Sequence, residues 1–426
     1  MDKPATLTKS EPTDASYELI SDSQNRLIGW LDKEGWAGYD PYDVLAQRPF
    51  LEIESLRVGR RRLRKILYPL ILLPSIFPKA TRKLLRTQKT FYPKAAALIA
   101  RAWLNRYEAQ GDKHDLIRAR AFLRWLANNH AKGYDRMCWG HPKDWQTLIF
   151  LPGGTPCAVV TCVAAQAFAQ GYQLTGERWL LDAASDSCRF LAESLQRFED
   201  TRGLCFSYTP LDNERVHNAN LLTASTMALV QNMNGEQVYT RLIRKAVSFS
   251  LSDQTDEGGF FYFDSKFAEA HDLPNSIDSY HSALVIESLA MLARILPDEN
   301  IGRAFKRAFT FYQTRLLVGG YVPIKVLGQM GPIIVDIHDC AETIALFSRL
   351  YCWGLLPDFQ PAARLATWVI ENLQDKSGYF YHGVYRWGKD TFPYVRRSEA
   401  WMMYALGELM KAMAFKERSQ TRRFMP

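Results

Sequence analysis

From about residue 85 onward, apolar and polar positions fall into blocks of about sixty residues, each reading as two helices and a loop. The first helix of successive blocks begins near Thr155, Asn218, Ile277, Ile337 and Arg396, at intervals of 63, 59, 60 and 59 residues. An earlier pair, over 90–110 and 114–131, brings the first helices to six. The two helices of a block differ in pattern. LLTASTMALV (221–230), SALVIESLAMLA (282–293) and AETIALFSRLYCW (341–353) are apolar around most of their circumference, which fits helices buried on nearly every side. Their partners carry a single stripe: Ile301, Ala304, Phe305, Ala308, Phe309 and Tyr312 recur at helical spacing, with Lys and Arg opposite.

Inner helices wrapped by outer ones, six times over, predict an all-α fold, an (α/α)6 toroid of six helical hairpins. An open solenoid built from the same unit would rarely keep its helices apolar on almost every face. Each outer helix leads into Gly followed by alternating aromatics, as in GLCFSY (203–208), GGFFYF (258–263) and GYFYHGVYRW (378–387). That alternation predicts short β-hairpin loops. All of them connect an outer helix to the next inner helix, so they gather at one end of the ring, and a site would lie there. The expected division is an extension over 1–84, the toroid over 85–416 and a basic tail over 417–426.

Composition narrows the class. In 426 residues, 47% hydrophobic and 23% charged, there is ample material for a large core, and collagen, coiled coil, disulfide miniprotein and bulk disorder are excluded. The opening MDKPATLTKSEPTDAS has no apolar run that would read as a secretory signal. Seven cysteines without CxxC spacing are expected to be reduced, buried thiols. The net charge of +8 invites a nucleic-acid reading until it is located. Residues 57–94 hold twelve Lys or Arg and no acid, so the rest of the chain stands at −4, and no nucleic-acid partner is expected. The segment reads GRRRLRK (59–65), ILYPLILLPSIF (66–77) and KATRKLLRTQK (79–89). Its apolar run is too short and too rich in proline to span a bilayer. It is either an interfacial segment on an anionic membrane surface or a strap along the main domain. A cytoplasmic protein, peripheral on the inner membrane if the first reading holds, is expected.

Polar chemistry concentrates at the starts of the inner helices, where charge is costly unless used or paired. LDNERVHNAN (211–220) offers His217 and Asn218; SIDSYH (276–281) offers Asp278, Tyr280 and His281; DIHDCAE (336–342) offers His338 and Asp339. YRWGKDTFPYVRRSEAW (385–401) adds Arg386, Trp387, Arg397 and Glu399, and CWGHPKDWQT (138–147) adds Trp139, Asp144, Trp145 and Gln146. Helix capping accounts for single residues such as Asp212, Asn275 and Ser398, and His141 and His271 read as loop residues. Capping does not call for His, Trp and Arg beside acids at five converging ends. Flat apolar faces next to paired hydrogen-bonding groups suit a sugar ring. No cofactor and no metal is expected, although Asp336, His338, Asp339 and Cys340 could seed a zinc site if a second cysteine stood at the axis.

WGHPKDWQT (139–147), GTPCAVVT (154–161), VHNANLL (216–222), IDSYHSALVIESL (277–289), DIHDCAETIA (336–345), RRSEAWMMYAL (396–406) and GYDPYD (38–43) together resemble the VpsJ-type polysaccharide biosynthesis proteins. The likeness runs over about 36–410, and 57–94 does not share it. It implies a fold like that of six-hairpin glycosidases and sugar epimerases and a place in exopolysaccharide, capsule or O-antigen assembly. It carries over no catalytic roles.

Three functions follow as expectations. A glycan hydrolase would draw its carboxylate pair from Asp144, Asp278, Asp339 and Glu399, with His217, His281 or His338 able to tune or replace one. A sugar epimerase or uronate lyase would use His217 or His281 as base and Arg386 or Arg397 as clamp. A non-catalytic glycan-binding scaffold would keep only the aromatic lining. Asp278 and His281, one turn apart, are the firmest site residues. Trp139, Trp145, Tyr280 and Trp387 are the expected stacking residues, with Gln146, Asn218 and His338 beside them.

Overall fold

The computed structural model describes residues 16–56, 61–328 and 333–423. The chain enters through α1 (Tyr17–Glu34), then passes through the short helices α2 (Phe50–Ser55), α3 (Arg61–Ile76) and α4 (Pro78–Leu84). Helical hairpins follow: α5 (Pro93–Gln110) with α6 (Lys113–Asn128), α7 (Ala158–Thr175) with α8 (Arg178–Glu193), and α9 (His217–Asn234) with α10 (Thr240–Leu251). A single turn, α11 (Ser265–Ala270), precedes α12 (Ser279–Ile295) with α13 (Glu299–Phe311), and α14 (Ile337–Cys352) with α15 (Gln360–Leu373) completes the fifth pair. The last helix is α16 (Ala400–Arg423), entered through a π-helical turn at Val395–Glu399.

The inner helices α5, α7, α9, α12, α14 and α16 pack side by side in a ring, α16 closing onto α5. Their composition explains the placement. From Ala158 to Ala169 every residue of α7 is buried, and Ala, Ser, Thr and Gly let such helices approach closely. The outer helices bury one stripe, as on α13, where Ile301, Ala304, Phe305, Ala308 and Phe309 face inward. Two-stranded hairpins, such as Arg197–Asp200 with Gly203–Phe206, lead into the inner helices. The expected (α/α)6 toroid with β-hairpin loops at one end is the observed architecture.

Its sixth outer helix is not where the sixty-residue repeat would put it. α16 is followed by no partner; α1, from the opposite end of the chain, packs on α16 and α15 and completes the ring. The repeat chemistry confirms the equivalence. Gln254 donates to the carbonyls of Gly258 and of Ala304 on α13. Gln374 does the same to Gly378 and to Ser23 on α1. Gly378, at φ +116, lies so close to the Arg26 carbonyl of α1 that a side chain would collide with it, as Gly203 does against Lys245 of α10. The toroid therefore includes residues 17–34, in place of the expected boundary at 84/85. On the other side, residues 417–423 continue α16 as helix, where a separate tail was expected.

Candidate functional site

Six inner helices begin at one end of the ring, and the second residue of each of the first five holds the same register. These residues are Lys94, Val159, Asn218, Tyr280 and His338, with Arg397 in the π-helical turn of the sixth. The contacts show that this register faces the axis. The Lys94 ammonium donates to the Tyr280 hydroxyl at 3.0 Å, the Tyr280 and His338 rings lie 3.9 Å apart, and His338 stacks on Trp401 at 4.8 Å. Lys94 also sits over the faces of Tyr280 and Trp401. Burial, then the Arg396 guanidinium, pushes Lys94 down to about 7, and Glu342, one turn into α14, is pushed well above the ordinary carboxyl range by burial and by Glu287. Burial holds His338 neutral.

Above this floor lies a charged rim. Asp278 caps α12 by accepting from the His281 backbone N–H at 2.8 Å, and its second oxygen meets His281 Nδ1 at 2.7 Å. One carboxylate thus fixes both the helix start and the imidazole. Burial raises the Asp278 carboxyl, but His281 outweighs it and holds the group below its ordinary value. The His281 ring lies between Tyr262 at 4.6 Å and Tyr280 at 4.7 Å, and its side chain keeps 31% of its surface exposed. Asp278 bridges Val326, which brings Lys325 alongside. Lys325 reaches Asp336 at 2.8 Å and Asp339 at 3.2 Å, and Arg397 adds a bond to Asp336 at 3.0 Å. Asp336 also caps α14. Against the pull of burial, the two cations hold its carboxyl far below the usual range, while burial raises Asp339 to about 7. Lys325 is raised by its two carboxylates despite burial.

Several buried polar atoms of this cluster have no hydrogen-bond partner among the described residues: Asn218 Oδ1, both ring nitrogens of His338, Asp339 Oδ2, Glu342 Oε1 and Trp401 Nε1. A buried polar group without a partner costs about 1–3 kcal/mol.

The extension crosses this end of the ring. Asp40 takes a two-pronged salt bridge from Arg396, and Tyr42 lies over both Arg396 and Arg397. α2 packs against Trp145–Gln146. Arg82 of α4 is held by Asp43 and by the Asp40 carbonyl, beneath the rings of Tyr39, Phe392 and Tyr394. Beside the mouth, α4 and the hairpin 383–390 enclose a groove of about 1350 Å³.

The structure thus brings Asp278, Tyr280, His281, His338, Asp339 and Arg397 together, with Asn218 in the axial register and Trp145 near the rim beside His141 and Tyr208. Gln146 lies in the same rim strand, its amide turned to the Thr147 carbonyl. The other expected residues stand elsewhere. His217 points outward, its Nε2 on Asp253 at 2.8 Å and its Nδ1 on Ser250 at 3.2 Å. With Asp264 these form the single metal-like grouping among the described residues, but Asp264 is already paired with Arg202 and Arg215. Glu399 accepts from the Phe380 backbone N–H, just as Asn220 does from Phe206 and Thr161 from Trp139. It is a repeat-wide peg for the aromatic loops, raised by burial and not by a neighbouring charge. Asp144 is exposed and ties a turn through Gly153, and Trp139 is core, stacked on Phe168 with its Nε1–H on the Leu126 carbonyl. Arg386 and Trp387 are exposed at a hairpin tip; Trp387 lines the groove and not the axis.

Sequence reasoning missed Lys94 and Lys325. Lys94 was counted within the basic segment, although it opens an apolar inner helix, and that context was the available signal. His141, read as a loop residue, stands at the rim, where burial and Arg396 push it down to about 3.

No protein-family model matches the chain, and no curated protein matches it in sequence. Its fold is similar to that of a GH76 α-mannanase of Bacteroides thetaiotaomicron, with a TM-score of 0.58 and 10% identity over 77% of this chain and 88% of that one. A sugar epimerase from a ruminal bacterium gives 0.56 and 14% over 75% and 87%, and a polysaccharide lyase 0.52 and 12% over 79% and 92%. The chain thus shares the (α/α)6 toroid fold of these proteins. At these identities the likeness is one of fold.

Proposed function

We propose that this protein is a carbohydrate-active enzyme that moves a proton on a saccharide at the toroid mouth, an epimerase- or isomerase-type reaction. One observation carries the reading. The most exposed of the paired titratable side chains on the rim is the imidazole of His281, oriented through Nδ1 by Asp278, which leaves Nε2 to act as base. Each rim carboxylate beside it already carries an ion pair: Asp278 with His281, Asp336 with Lys325 and Arg397, and Asp339 with Lys325 through one oxygen. In this reading His281 takes a proton from a carbon next to the sugar carbonyl. The electron pair moves onto the carbonyl oxygen, where Arg397 and Lys94 supply positive charge. Return of a proton from water to the opposite face, with the proton on His281 released to water, gives the epimer with no net consumption of any other reactant. The motifs shared with VpsJ-type proteins support a saccharide of a bacterial surface polysaccharide as substrate, and solved neighbours that include an epimerase make the chemistry compatible with the fold.

Hydrolysis, which the sequence put first, keeps one specific support. Asp339, raised to about 7, and Asp278, held low, are two carboxyls pushed apart in the way an acid and a carboxylate partner require. The discriminating experiment incubates the protein and its His281→Ala and Asp339→Asn variants with mono- and oligosaccharides and with the host's own polysaccharide. The expected product is an isomer of unchanged length, lost in His281→Ala. Shortened chains lost in Asp339→Asn would replace the proposal with hydrolysis, and an unsaturated uronate product would replace it with elimination.

A further inference from the structure

The helix α3 carries an apolar face that the toroid does not use. Leu63, Ile66, Leu70 and Leu73 recur at intervals of three, four and three residues, one side of a helix, and all four are exposed, Ile66 at 73%. Ile76 and Phe77, exposed at 44% and 58%, extend the stripe to the corner with α4. Leu67, Ile71 and Pro74 lie on the other side and are more covered. An apolar stripe of this length facing water is uncommon on a soluble monomer and marks an interaction surface.

The charge around it identifies the partner. The sequence places Arg61, Arg62, Arg64 and Lys65 in the first two turns of α3. Beyond its other end, Lys79, Lys83 and Arg86 are exposed at i, i+4 and i+7, and no carboxylate pairs with them among the described residues. There is no acid between Arg57 and Lys94. At 16 residues, about 24 Å, and with Pro69 and Pro74 within it, α3 is too short to cross a hydrocarbon core of about 30 Å. None of the described helices is long and apolar enough to cross a membrane. A short apolar stripe between two clusters of cations matches the layered chemistry of a bilayer surface, acyl chains beneath acidic headgroups.

We infer that α3 and α4 dock this protein on an anionic lipid bilayer, with α3 lying in the plane of the interface. The groove lined by Lys79, Lys83, Arg86 and Trp387 then opens at headgroup level, next to the mouth. The inference is independent of the reaction at the axis.

The test is flotation of the full-length protein with vesicles of phosphatidylcholine alone and of phosphatidylcholine mixed with phosphatidylglycerol. Binding is expected to the mixed vesicles and to fall as salt is raised. Removing Lys79, Lys83 and Arg86 together (each →Ala) should weaken it by about fivefold per cation, more than a hundredfold in all. The triple change Ile66→Ser, Leu70→Ser, Leu73→Ser should weaken it at least as much, with the melting temperature unchanged because these side chains lie on the surface. Equal binding to both vesicle types, or binding that survives the apolar triple change, would overturn the inference. So would a concentration-dependent dimer that the apolar triple change disperses without any vesicle binding, which would make the stripe a contact between copies.

Discussion

The burial of Lys94 sets a stability cost whose size and pH range can be worked out. Its ammonium falls from 10.5 to about 7, burial being the first cause and Arg396 the second. The gap of about three and a half pH units, at about 1.4 kcal/mol each, comes to about 5 kcal/mol. The sign follows from proton counts. Between about 7 and 10.5 the unfolded chain binds the proton and the folded chain does not, so stability rises with pH across that range. Below about 7 both states are protonated, and the folded state bears the full cost. Lys94→Met should remove this cost. It also removes the bond to the Tyr280 hydroxyl and the contact over Trp401, together worth about 1–2 kcal/mol. The net expectation is a stabilisation of about 3–4 kcal/mol at pH 6 that disappears by pH 10, with saccharide turnover lost. Urea unfolding of both proteins at pH 6, 8 and 10 measures this. A variant less stable than the parent at pH 6, or a difference that does not shrink as pH rises, would refute the reasoning.

Three further outcomes are expected. Asp336→Asn leaves Arg397 facing a neutral amide and Lys325 paired with Asp339 alone, and should cost about 3–5 kcal/mol at neutral pH. Because the Asp336 carboxyl is depressed on folding, its contribution is complete above the ordinary carboxylate range and lost as pH falls below it, so thermal melts of variant and parent should converge in strong acid. Glu399→Gln keeps an acceptor for the Phe380 N–H and should change stability by less than about 1 kcal/mol while leaving turnover intact; a large loss of turnover would return Glu399 to the site. Gly378→Ala forces a side chain against the Arg26 carbonyl at φ +116 and should destabilise by more than about 2 kcal/mol, read by calorimetry and by earlier proteolysis of α1.

How far the sequence could be read depended on what was periodic. The six inner helices were legible because apolar residues on every face and a sixty-residue period need only local text. The sixth outer helix was not, because α1 and α16 are separated by the whole chain and meet only once it has folded, where Gln24 donates to the Met403 carbonyl. At the helix starts, residue type was legible and direction was not. His217 and Asn218 are neighbours in sequence, yet one faces the outer helices and the other holds the axial register. Glu399 looked like a catalytic acid for the same reason, since a peg for a loop N–H and an axial side chain, here Arg397, sit two residues apart. Asp278 and His281 were legible as a pair because three residues within a helix start place them on one face. Lys94 was hidden by the charged stretch before it.

The account rests on His281 acting as a base on carbon. The most direct test is NMR of candidate saccharides incubated with the protein in heavy water. Deuterium should enter a single C–H position next to the sugar carbonyl. The exchange should fall by at least about a hundredfold in His281→Ala, and in Asp278→Asn, which keeps the helix cap but loses the charged partner of the imidazole. Turnover of the saccharide with no deuterium in carbon, unaffected by His281→Ala, would contradict it.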